Sequence, residues 1–303
     1  MPGPHAGEAR AWLAAGLCAL GVLGACSASP EPIHVETIRM AGGALALAPA
    51  LAEAGLDESA LDGATRGALR AAGFELGHGA RPHRALVDVP SVRLLPPNAG
   101  SAGPRLEVSV ELALAPVDER DGPTRRELAS AAIPLATART PREACLAALL
   151  QAARRAADGL ALSVRADGKA SPALVAELAA DDVRVREQAI RVLGERRSRA
   201  AVPALIGRMK EEEPRLAQRV IAALAQIGDE RAIPALIDAS RRGDAALTTR
   251  LVRYIGDIGG AEAEGYLLTL ESGHGDGRVR KAAREALDDM SARAKEAALA
   301  ARK

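Results

Sequence analysis

The chain has 303 residues, room for roughly two domains, and its 40 Lys and Arg against 39 Asp and Glu leave a net charge of +1. That balance implies neither a nucleic-acid partner nor attraction to a membrane surface. Aromatic residues make up 1% of the chain. Trp12 lies in the leader, so only Phe74, Tyr254 and Tyr266 remain, too few for sugar-stacking platforms or single-strand nucleic-acid grooves. The 48% hydrophobic content is heavily alanine, which suits close-packed helices better than a deep ligand cavity.

In chain order, an apolar run from Ala11 to Ala25 follows Arg10. It is too short for a membrane span and has the layout of a secretory signal. It ends Leu23-Gly24-Ala25-Cys26, which resembles the bacterial lipobox. The resemblance implies that residues 1–25 are a lipoprotein signal peptide, that the Cys26 thiol is acylated, and that the mature chain starts there. The alternative is an ordinary signal peptide with an incidental cysteine. Ser27 stands where the inner-membrane retention aspartate of enterobacterial lipoproteins would be, so the resemblance favours an outer-membrane destination facing the periplasm. Residues 26–32 are then a tether.

Residues 33–164 read as a small α+β domain, an antiparallel sheet with helices. Ile33–Met40 suits a strand, and Asp57–Ala72 a helix capped by Asp57 and stopped by Gly73. Leu86–Leu94 reads as a strand that Pro90 confines to an edge or a bulge. Leu106, Val108, Val110, Leu112 and Leu114 alternate with Glu107, Ser109, Glu111 and Ala113, the pattern of a half-buried strand. Leu95–Pro104 is expected as a flexible hairpin loop. Asp121-Gly122 is a turn signal, Glu127–Leu135 a weaker strand, and Pro141 opens a helix through about Ala161. The domain resembles, at the level of pattern, the small domains of outer-membrane accessory lipoproteins. Cys145 sits beside Leu146 and Leu149 and reads as a buried small hydrophobe. Residues 165–171 are expected as a linker.

From Pro172 to Met290 the sequence repeats every 31 residues. Leu174, Leu205, Leu236 and Leu267 form one column. Pro172, Pro203, Pro234 and Gly265 form another, and Leu193, Leu224 and Ile255 a third. A fourth copy is offset by one residue inserted around His274–Arg278. Such self-similarity marks a helical solenoid whose units stack to share a core. Each unit reads as two helices, the first opened by proline and the second ending near a glycine (Gly194, Gly228, Gly259). "VREQAIRVLGERRSRAAVPALI" and "LAQRVIAALAQIGDERAIPALI" resemble HEAT repeats, of the short kind also found in phycobilisome-lyase-like proteins. The resemblance implies an all-α HEAT-repeat solenoid of about four units over 172–290. Residues 291–303 follow as a C-terminal helical tail.

The residues that carry chemistry are sparse. His78 and His83 share a Gly/Pro-rich loop without a nearby set of metal ligands. HEAT-fold hydroxylases of the deoxyhypusine type bind iron through His-Glu dipeptides, and no His-Glu occurs in this chain. No cofactor, metal site or catalytic residue is therefore expected. Glu211-Glu212-Glu213 reads as a solvated loop between two helices. On the second helices Gln188, Arg219 and Arg250 share a column, Arg191, Ala222 and Arg253 another, and Arg184 and Arg215 a third. In stacked HEAT units these helices line the concave side, so Arg219, Arg250 and Arg253 are candidates for binding a protein partner. The alternative is a solvated face paired to Glu187, Glu195 and Asp257. The expected protein is a non-enzymatic, lipid-anchored envelope scaffold that binds a protein, not nucleic acid, and meets the membrane through its anchor. The competing readings are an enzyme-associated module of the chromophore-lyase type and an assembly factor acting through its α+β domain.

Overall fold

The computed structural model describes residues 32–40, 49–80, 82–97, 103–118 and 123–300. The signal, Cys26, Asp121-Gly122, residues 98–102 of the 95–104 loop and most of the tether fall outside the described residues. The first part comprises β1 (Ile33–Met40), α1 (Pro49–Glu53), α2 (Glu58–Ala71), β2 (Phe74–Leu76), β3 (His83–Leu95), β4 (Arg105–Pro116) and β5 (Arg125–Pro134). It is followed by α3 (Pro141–Gly168), α4 (Ser171–Glu177), α5 (Val183–Glu195), α6 (Val202–Glu211), α7 (Pro214–Ile227) and α8 (Ile233–Arg242). The chain goes on through α9 (Ala245–Ile258), α10 (Ala261–Gly273) and α11 (Gly277–Ala300).

The five strands form one sheet in the order β2-β1-β3-β4-β5. β3, β4 and β5 pair antiparallel, as the alternating pattern suggests, but β1 pairs parallel with both β2 and β3. The sheet is thus mixed rather than wholly antiparallel. Two parallel neighbours need a crossover connection, and α2 supplies it between β1 and β2. Asp57 caps α2 by accepting the Ala60 N–H. The ladder between β3 and β4 shifts register between Asp88 and Ser91. Pro90 falls in that step, where its missing N–H breaks no ladder bond. β3 is nonetheless a central strand.

β4 shows how the alternation becomes a core. Val108, Val110, Leu112 and Leu114 are fully buried beneath α3. The opposite face carries Glu107 bonded to Arg93 (2.7 Å), Glu111 to Arg126 (3.2 Å), and Ser109 to both Ser91 (2.9 Å) and Ser130 (2.7 Å). On α3, Ala148, Ala152, Ala153, Ala156 and Ala157 are buried beside Leu149, Leu160 and Cys145. Short side chains at i, i+4 spacing let the helix lie close on β4 and β5. Burial pushes the Cys145 thiol up from its ordinary value, consistent with a packing role.

The buried apolar residues fall into two clusters, one from Val35 to Ala161 and one from Ala166 to Ala286. α3 takes part in both, because it does not stop where the linker was expected. Residues 165–168 are its last turn and Ser171 already opens α4. Arg165 reaches back to donate to the Ala72 carbonyl at 3.0 Å. Across the boundary, Arg125 of β5 donates to Asp167 at 2.7 Å and to Glu195 of α5 at 2.9 Å, and Arg191 donates to Asp167 at 3.0 Å. Burial pushes the Glu195 carboxyl up, but the bonds from Arg125 and Arg191 outweigh it and hold it below the usual glutamate range.

From Ser171 onward the helices pair as α4/α5, α6/α7, α8/α9 and α10/α11, four repeat units as the period predicts. Leu174, Leu205, Leu236 and Leu267 are all fully buried. Proline occupies the first turn of α4, α6, α7 and α8, where its lost N–H costs nothing. Gly228 and Gly259 end α7 and α9 with φ of +67° and +78°. Gly194 does not cap α5; it lies inside the helix and is buried, and Arg197 takes the positive φ instead. Glu212 is likewise not solvated. Its side chain is 3% exposed, enclosed by Arg186 and Arg208. The tail expectation meets α11, whose residues 291–300 continue the helix with every side chain exposed.

Candidate functional site

The second helices of the units, α5, α7, α9 and α11, stack in sequence, and the end of α3 packs on α5. Two of these junctions are very close. A Cβ on Gly194 would lie 3.0 Å from the Ala223 Cα, and one on Gly256 would lie 2.8 Å from the Ala286 Cβ. Glycine against alanine lets the backbones meet. At the α7–α9 junction, 31 residues on from Gly194 and Ala223, the same two positions hold Ala225 and Tyr254. The larger pair does not allow the same approach, and α7 and α9 touch along a much shorter stretch than their neighbours do.

The gap this leaves is a cleft of about 320 Å³. Arg215, Gln218 and Arg219 line it from α7, and Leu247, Arg250 and Tyr254 from α9. Ile221 and Ala222 form its floor. The arginines sit on the exposed side of each helix because the buried side is taken by Leu216, Val220 and Leu224 on α7 and by Thr248, Leu251 and Val252 on α9. Arg219 is tied to Glu187 of α5 at 2.6 Å. Among the described residues Arg215 and Arg250 have no ion-pair partner. Glu127 of β5 feels the same charges. Burial pushes its carboxyl up and Glu187 adds to that, while Arg191 and Arg219 pull the other way; the net shift is upward.

The structure therefore brings Arg219 and Arg250 together and leaves Arg253 apart, exposed on α9 outside the cleft. Arg191, in the Arg253 column, is spent on Asp167 and Glu195. Asp257 faces Arg293 at 3.7 Å and not Arg253. Arg215 and Tyr254 join the site although no sequence column singles them out together. The signal was present: reading columns in pairs shows a glycine–alanine contact replaced by alanine–tyrosine at one junction only.

Chemically, the cleft offers guanidinium forks that match a carboxylate or another planar anion, a phenol, an amide, and the apolar flank of Leu247. Among the described residues no group of three His, Cys, Asp or Glu side chains is placed to hold a metal ion. His78 instead lies 3.0 Å from Glu36 and His34 lies 3.5 Å from Glu75. No helix among the described residues is long and apolar enough to cross a membrane.

Residues 171–252 match the HEAT repeat family. The match runs from the start of α4 into α9 and takes in every cleft residue but Tyr254. No curated protein matches the chain. Residues 171–252 are thus similar to HEAT repeats, and the helices from α4 onward form a HEAT-like solenoid, an architecture whose extended surfaces generally serve protein–protein contact.

Proposed function

We propose that the protein is a lipid-anchored scaffold of the bacterial cell envelope, facing the periplasm from the outer membrane, whose HEAT array binds a protein partner without catalysis of its own. The observation that carries the scaffold reading is the cleft between α7 and α9, an open site with unpaired cations in a protein-binding architecture. The anchor rests on the sequence alone, where leucine, two small residues and cysteine close an apolar run at Cys26. Anchoring would hold the array at the membrane surface, and a single acyl chain gives only marginal residence, so a firm anchor requires more than one.

Two experiments test the reading. Cys26→Ser should leave an uncleaved precursor that takes up no labelled palmitate, while the wild type is labelled and sediments with membranes after a salt wash. Equal labelling of both would remove the anchor. Crosslinking in intact cells followed by mass spectrometry should recover one envelope protein joined to residues of α5, α7 or α9. Recovery of no crosslinked protein at any position would remove the scaffold.

A further inference from the structure

The α7–α9 cleft differs from the rest of the array in three ways that bear on one ligand. It is the junction where the glycine–alanine contact is lost and Tyr254 stands in its place. It gathers Arg215, Arg219 and Arg250, of which only Arg219 has an ion-pair partner among the described residues. It also has an apolar side, Leu247 and the ring of Tyr254, within the same 320 Å³ or so. That volume is on the order of ten water molecules, enough for about two side chains.

We propose that this cleft takes an acidic peptide segment of a partner protein, one carboxylate held between Arg219 and Arg250 and an adjacent apolar side chain packed on Leu247 and Tyr254. The inference rests on the scaffold reading and deepens it by naming the partner's chemistry. Arg219 is held in place by Glu187 before the ligand arrives, so less side-chain freedom is lost on binding. Arg250 brings a charge that nothing among the described residues neutralises. A nucleic-acid strand fits poorly, since a single tyrosine gives no run of stacking faces and the chain's net charge is only +1. A lipid headgroup would use the arginines but leave the Leu247–Tyr254 side uncovered. A peptide uses both.

The test is fluorescence anisotropy with the full chain purified in detergent micelles. The probe is a fluorescein-labelled ten-residue peptide of alternating glutamate and leucine, compared with its glutamine–leucine counterpart. The acidic peptide should bind at least about tenfold more tightly, and its affinity should fall with added salt. Arg219→Ala with Arg250→Ala should weaken it about tenfold or more, with Arg219→Lys in between, because a point charge replaces a planar fork. Arg253→Ala, on the same helix but outside the cleft, should change affinity less than about twofold. All three positions are exposed, and thermal melting confirms that the variants fold. Equal binding of the glutamine peptide would overturn the proposal. So would an Arg253→Ala loss matching the double variant, or displacement by inorganic phosphate or phosphatidylglycerol-doped micelles as effective as by unlabelled peptide. If the peptide results fail while crosslinks to a partner persist elsewhere on the array, this assignment falls and the scaffold reading stands.

Discussion

The contact between Gly256 and Ala286 gives the sharpest test of how the repeats pack. In Gly256→Ala the new methyl carbon would sit 2.8 Å from the Ala286 Cβ and 3.5 Å from its Cα. Carbon atoms prefer about 3.5–4.0 Å, so α9 and α11 must part by roughly 1 Å or distort. Overpacking of this kind costs about 1–3 kcal/mol. Replacing glycine within a helix returns about 1 kcal/mol, which leaves a net loss of up to about 2 kcal/mol. Ala286→Gly alone forfeits about 1 kcal/mol of helix propensity together with a buried methyl. The two changes made together only move the methyl from one helix to the other. The double variant should therefore lie within about 1 kcal/mol of the wild type, a coupling that neighbouring sites show and distant ones do not. Urea unfolding followed by far-UV circular dichroism measures all four proteins. Gly265→Ala in α10, where a Cβ meets nothing within 4 Å, serves as the control and should gain about 0.5–1 kcal/mol. Losses that simply add in the double variant would mean that the helices do not meet at these residues. Loss of the glycine–alanine contact would then not be what opens the α7–α9 junction.

Two further outcomes concern pH, and their signs are opposite. Arg125→Ala should cost about 1–2 kcal/mol at pH 7, the low part of the range for bonds to charged groups because Glu195 is 39% exposed. Since Glu195 is held below its ordinary value of 4.5, its stabilisation is present above that pH and is lost as the pH falls through the folded value. The gap between variant and wild type in urea titrations should thus narrow on acidification; a gap that widens would contradict the assigned bonds. Glu127 is displaced upward from 4.5, chiefly by burial, so its ionised form weakens the fold at neutral pH. Glu127→Gln should raise the melting temperature at pH 7, with the gain fading as the pH falls through the raised folded value towards 4.5 and gone below it; an unchanged or lower melting temperature at pH 7 would contradict it.

The repeats were legible because a solenoid writes its neighbour contacts into the sequence at a fixed interval. Leu174, Leu205, Leu236 and Leu267 are buried for the same reason that they align. The α+β part was legible only as far as faces go. Alternation in β4 tells which residues turn inward, but it carries nothing about which strand lies alongside, so the parallel pairing of β1 stayed hidden. β2 is three residues long, too short for an alternation to show. Gly168, Lys169 and Pro172 imitate a linker, yet the glycine is the last residue of α3 and the proline belongs to the first turn of α4. Gly194 looked like a cap since glycine at a helix end and glycine at a helix crossing are the same letter; only the facing Ala223 tells them apart. Glu212 looked solvated because its cation Arg186 lies 26 positions away in the sequence. Arg219 and Arg250 stood in one column, but their meeting in a cleft depends on Tyr254, a residue of the other column set.

α3 has a mechanical consequence. At 28 residues it is about 42 Å long, with Cys145 to Ala161 in one core and Ala166 in the other. Modules joined by a loose linker reorient freely, and that is the usual expectation between domains. Here the joint is a hydrogen-bonded helix, clasped at its far end by Arg125 and Arg191 on Asp167. A pull on the array cannot be absorbed by loop flexing; it arrives at β4 and β5 as a torque on the helix that lies across them. The sheet is the footing against which the repeats can bear load.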